Sequence, residues 1–121
     1  MFAHFLPFSV AEIQDARAID LLQTIQRRTI EVPFQQGLTA LSTAYVHFAP
    51  QSSSCFPNTP PILLLHGFDS SLLEFRRLLP LLAGSGDVWA IDLFGSGFTE
   101  CPPAISVNPA TSSEHRRNLD W

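Results

Sequence analysis

Two short segments concentrate the residues that could do chemistry. His66-Gly67-Phe68 follows the aliphatic run Ile62–Leu65, and Asp92-Leu93-Phe94-Gly95-Ser96-Gly97-Phe98-Thr99 closes a second apolar run that begins at Val88. An imidazole and nearby carboxylates offer proton transfer or metal ligation, and a serine between glycines offers a nucleophile. The spacing narrows these options. A nucleophilic serine on a strand-to-helix elbow needs glycines two places to either side, and around Ser96 those places hold Phe94 and Phe98. No other serine satisfies the pattern. A dinucleotide cradle G-x-G-x-x-G begun at Gly95 needs glycine at position 100, where Glu100 stands. Cys55 and Cys101 lack C-x-x-C spacing and a neighbouring histidine, so they read as lone thiols. His4, His47 and His115 have no supporting neighbours along the chain and read as exposed or core residues. Asp69 reads as charge complementing a helix start. None of these groups calls for a cofactor or a metal.

The elements that must position the two segments are legible around them. Ile62–Leu65 and Val88–Leu93 are continuous apolar runs, as expected of parallel strands covered on both faces. Between them Leu72, Phe75, Leu79 and Leu82 form a helical stripe with Ser70 or Ser71 as cap and Gly84 as terminator, while Pro80 must kink or restart the helix. The unit is βαβ. Upstream, Thr29–Phe34 and Leu41–Phe48 read as an antiparallel strand pair, with Pro33 marking an edge. Ser9-Val10-Ala11-Glu12 matches a capping box, and Val10, Ile13, Ala16, Ile19, Leu22 and Ile25 continue one apolar face to about Arg28. An N-terminal helix is expected there, with Arg27 and Arg28 closing its last turn.

His66-Gly67-Phe68 directly after a buried strand resembles the HG-x turn of α/β-hydrolases. Asp92–Thr99 resembles their DLxGxGxS segment, with threonine in the last place. The two motifs, separated by a helix, carry the resemblance over about residues 28–110. It implies an α/β fold: a partial α/β-hydrolase sheet made of the N-terminal helix, the antiparallel pair and one βαβ unit. It also implies that the backbone amide of Phe68 forms half of an oxyanion hole, the other half following the nucleophile. Such a donor contributes about 2.7–4 kcal/mol to the transition state. Gly67 is expected to let the backbone turn into the site without a Cβ collision. His66 is not the base, which in that family comes late in the chain, so its expected role is to hold the loop. Asp92 is expected to pin the local turn, and Gly95 and Gly97 to keep it tight. Phe68 and Phe98 are candidates for an apolar pocket or for the core. Dehalogenase-like relatives place asparagine after the His-Gly, where this chain has Phe68.

Composition sets the outer bounds. The 121 residues are 45% hydrophobic with a net charge of −4, and all seven cations are arginine, scattered mostly as the surface pairs Arg27-Arg28, Arg76-Arg77 and Arg116-Arg117. That excludes the clustered basic face a nucleic-acid partner needs. No run approaches the roughly 20 apolar residues of a membrane span, and the start lacks a basic region before an apolar stretch, so a cytoplasmic protein without a membrane span is expected. The expected organisation is a helical extension over 1–28, the N-terminal half of an α/β-hydrolase domain over 29–110, and a divergent polar tail over 111–121. The family pattern fails near residue 111, before any nucleophile elbow, which leads to the expectation of a truncated or frame-interrupted product of a longer gene. The parent would hydrolyse a small ester-like acyl substrate through a serine. This chain would be inactive alone, and the alternative is a non-catalytic binding or vestigial module. By resemblance Ile62–Leu65 lies beside the absent elbow strand, so an unpaired sheet edge is expected to drive self-association.

Overall fold

β-Branched and aromatic residues dominate the middle of the chain, and in the computed structural model, which describes residues 1–34, 36–50 and 59–101, they pair into one mixed sheet. Its strands are β1 (Gln26–Phe34), β2 (Gly37–Phe48), β3 (Ile62–Leu65) and β4 (Val88–Ile91), in the spatial order β1-β2-β4-β3. β1 and β2 form an antiparallel hairpin running from Gln26↔Tyr45 to Phe34↔Gly37. β2 runs antiparallel to β4, and β3 runs parallel to β4 from Ile62↔Val88 to Leu65↔Ile91. The two aliphatic runs are therefore neighbours in one sheet. Pro33 sits on the outermost strand, where its missing N–H costs no ladder bond.

The N-terminal segment departs from the expected long helix. A 3₁₀ turn spans Phe8–Glu12 and a separate helix, α1, spans Ala16–Leu22. The capping box does not form: Ser9 lies inside the turn, and Asp15 caps α1 by accepting from the amides of Arg17 (2.9 Å) and Ala18 (3.4 Å). The three-residue apolar period ran through Ile25, but from Gln26 onward the backbone pairs with β2, and this long ladder overrides local helical preference. Arg27 and Arg28 consequently lie in a strand. Arg27 is not a solvated charge: its Nε donates to the carbonyl of Phe98 (2.9 Å) and its guanidinium sits over the Phe5 ring (4.6 Å).

Between β3 and β4 the helical segment is split as Pro80 requires. A 3₁₀ turn covers Leu72–Arg76, with the Ser71 side chain accepting from the Leu73 amide (3.3 Å), and α2 restarts at Leu78–Leu82. All the helical pieces pack on one face of the sheet. Leu21, Leu22, Leu72 and Leu79 meet Ala44, Val46, Val88 and Ala90 there in the core.

The opposite face is not covered among the described residues, contrary to the reading of the aliphatic runs as covered on both sides. Burial alternates along β3 and β4, and Leu63 and Leu65 are 55% and 54% exposed. On this open face Trp89 stacks on His47 with ring centroids 3.8 Å apart and lies 5.7 Å from Tyr45. His47 also pairs with Asp87, so it has partners that its sequence neighbours did not indicate. No helix among the described residues is long and apolar enough to cross a membrane.

Candidate functional site

The loops that leave the C-terminal ends of β3 and β4 lie side by side because those strands are parallel neighbours. Residues 66–69 and 93–97 form the walls of a shallow cleft of about 410 Å³. A cleft at the carboxyl ends of parallel strands is where open α/β sheets bind ligands.

His66 is buried and both of its ring nitrogens are engaged. Nε2 accepts from the backbone amide of Leu93 (3.0 Å), so the proton resides on Nδ1, which donates to the carbonyl of Gly67 (2.8 Å). The ring therefore stitches the β3 loop to the β4 loop and has no free nitrogen with which to take a proton from Ser96 or from a substrate. Asp92 Oδ1 lies 3.7 Å from Nε2 without sharing a hydrogen.

The bond to Gly67 has a second effect. A trans peptide holds its C=O and N–H antiparallel, and no cis peptide occurs among the described residues. With the Gly67 carbonyl drawn towards the ring, the Phe68 N–H of the same peptide unit points away from it. Among the described residues that amide has no hydrogen-bond partner. The Phe68 side chain is fully exposed, whereas Phe98 packs against the core.

Asp92 is the other organising group. It is buried, and its Oδ1 accepts from the Leu72 amide at the start of the helical segment (2.7 Å) while Oδ2 accepts from the Phe98 amide (2.7 Å). Burial pushes its carboxyl above the usual carboxylate range, opposed by the Phe98 and Leu72 amides and by His66. Its carbonyl receives the hydroxyl of Thr99 (2.8 Å), which in turn accepts from the Ala44 amide of β2 (3.0 Å). The threonine in the last place of the motif thus ties the turn to the sheet, a role that only the fold reveals.

Gly95 and Gly97 adopt φ of 75° and 54°, the left-handed region that glycine tolerates. A Cβ on Gly97 would overlap the Asp92 carboxylate, while one on Gly95 would meet nothing within 4 Å. Gly67 differs from expectation. Its φ is not in the left-handed region and a Cβ there would also meet nothing within 4 Å, so no collision inside this chain requires glycine. Asp69 has the strained φ of 54°, unlike any other non-glycine among the described residues. No group of three or more potential metal-ligating side chains occurs among the described residues. Cys55, His115 and the tail over 111–121 lie outside them.

The fold and the paired loops find counterparts among known proteins. No family model matches the chain. It is 36% identical over 121 residues to the α/β hydrolase domain-containing protein VTE7 of Arabidopsis thaliana, covering 94% of this chain and 34% of that protein. The solved structure of a probable hydrolytic enzyme from Pseudomonas aeruginosa superposes with a TM-score of 0.52 at 25% identity, over 77% of this chain and 29% of the other. The chain belongs to the α/β-hydrolase fold superfamily. The bifunctional epoxide hydrolase 2 of Sus scrofa is 31% identical over 106 residues, covering 80% of this chain and 18% of that protein. The chain thus spans about a third or less of the length of these relatives and carries part of a hydrolase fold.

Proposed function

We propose that the chain supplies the oxyanion-stabilising loop of a hydrolase that cleaves a small ester-like acyl substrate through a serine nucleophile. The backbone amide of Phe68 is one donor to the developing oxyanion. Nucleophile, acid and base lie outside this chain, so the 121 residues alone turn nothing over. The reading keeps residues 29–110 as the hydrolase portion and 1–28 as an extension whose Val10, Leu21, Leu22 and Ile25 join its core. The observation that carries it is the peptide between Gly67 and Phe68, held by His66 so that its N–H is directed away from the ring beside the cleft. Preorganised donors of this kind act without reorganisation cost at the moment of reaction. The similarity to an epoxide hydrolase supports a second reading. There the same amide would stabilise the oxygen released by ring opening. A non-catalytic binding or vestigial chain is the remaining alternative.

Amide hydrogen exchange tests whether the donor is available at the residue that matters. The Phe68 amide is expected to exchange near its intrinsic rate while those of Leu72, Leu93 and Phe98 are slowed. Strong protection at Phe68 would exclude it as a donor. Alongside, p-nitrophenyl esters and styrene oxide are expected to show no turnover by the pure chain above a heat-killed control. Measurable hydrolysis would overturn the assignment of the nucleophile to residues outside the chain.

A further inference from the structure

We infer that Arg27 is a positioning residue for the cleft: it fixes the 93–97 wall through the carbonyl of Phe98, and the N-terminal segment keeps it seated through Phe5. The inference rests on the reading of this cleft as the hydrolytic one. In the β1-β2 ladder Arg27 lies opposite Ala44, and directly opposed residues project to the same face of a sheet. Ala44 belongs to the core, so a permanently charged, half-buried side chain leaves the sheet on its packed side. Such a charge needs partners there. Nε donates to the Phe98 carbonyl (2.9 Å), and Nη2 donates to the same oxygen. A turn closed by the Leu6 amide on the Ala3 carbonyl (3.1 Å) carries Phe5, whose ring centroid lies 4.6 Å from the guanidinium carbon. A cation over a ring face is held by the ring's quadrupole.

The anchors of the wall show what this does to the cleft. The wall begins at Leu93, whose amide is held by His66 (3.0 Å), and ends beside Phe98, whose amide is held by Asp92 (2.7 Å). Between them Gly95 and Gly97 have φ of 75° and 54°, and glycine is the residue whose backbone is least restrained. Thr99 is tied to β2 through its hydroxyl, and its own amide makes only a long bond to the Ser96 carbonyl (3.3 Å).

The Phe98 carbonyl and the Thr99 N–H belong to one trans peptide and point in opposite directions. Arg27, drawing the carbonyl to one side, therefore turns the Thr99 N–H towards Ser96 and closes the wall over its two glycines. Both walls of the cleft are oriented by the same device, a side chain on a peptide carbonyl: His66 on Gly67 and Arg27 on Phe98. The second device reaches from β1 across β2, so residues 1–28 contribute to the site as well as to the core.

Backbone order parameters from ¹⁵N relaxation of the full chain read this directly, because a loss of stability alone leaves the folded molecules as rigid as before. At the Ser96, Phe98 and Thr99 amides the parent is expected near the rigid value of about 0.85, and Arg27→Met, which keeps the stem without donors, nearer to about 0.6. Val46 and Ala90, at the centre of the sheet, should keep their values in every variant. Arg27→Lys retains the charge and a donor and should recover part of the order. Phe5→Leu should loosen the same amides by a smaller amount, which keeps the test open if Arg27→Met fails to fold. A wall that stays rigid in either variant, or an equal fall at Val46 and Ala90, would overturn the inference. Hydrogen exchange at Phe68 is read separately: protection there removes the oxyanion reading and leaves the wall measurement standing.

Discussion

Gly97 and Gly95 share a backbone conformation yet carry different burdens. Gly95→Ala faces only the cost of a left-handed alanine, about 1–2 kcal/mol. Gly97→Ala must in addition displace the Asp92 carboxylate from the amides of Leu72 and Phe98. Each buried donor left unmade costs about 1–3 kcal/mol. Urea unfolding should therefore rank Gly97→Ala well below Gly95→Ala, and equal losses would contradict the overlap. Asp92 also sets a sign for pH dependence. Its folded carboxyl binds a proton more readily than the ordinary value of 3.8, because it is buried. Its contribution is therefore greatest in acid and declines as pH rises through 3.8 towards the higher folded value. The deficit of Asp92→Asn relative to the parent should be largest in acid and shrink towards neutrality, read from urea midpoints. The sequence showed which residues occupy these turns but not their partners. The amides that hold His66 and Asp92 come from Leu93 and Leu72, brought near by the parallel pairing of β3 and β4, and no local pattern encodes that meeting.

At the level of elements, one carboxylate joins two helical pieces distant in sequence. Asp15 caps α1 and receives Arg76 Nε at 2.7 Å from the turn that precedes α2. The Arg76 bond, with help from the Arg17 and Ala18 amides, holds the Asp15 carboxyl below its usual range against some desolvation. The sign is opposite to that of Asp92: the contribution is present above 3.8 and lost as pH falls towards the lowered folded value. Arg76→Gln should accordingly weaken the fold near neutral pH, with the gap to the parent closing in acid. A gap independent of pH would assign the effect to packing of the arginine stem. The break between α1 and β1 was not legible because Ile25 fits a helical period as well as it fits a core position preceding a strand. Pro33 and Ser71 were legible, since a missing N–H and a short side-chain acceptor act within their own turns.

For the whole molecule, continuous apolar runs announced two adjacent parallel strands but not how many faces are covered. Aliphatic residues at consecutive positions suit a strand enclosed on both sides equally with one whose second face awaits a neighbour. That distinction rests on helices elsewhere in the chain, and the described ones all take the same side. Trp89, stacked on His47 in the middle of the bare side, therefore occupies a useful place. With Trp121 replaced by phenylalanine, it becomes the sole indole chromophore, so any layer settling over that side excludes solvent from it and moves its emission to shorter wavelengths. The sheet carries its own optical gauge of when its vacant side has been filled.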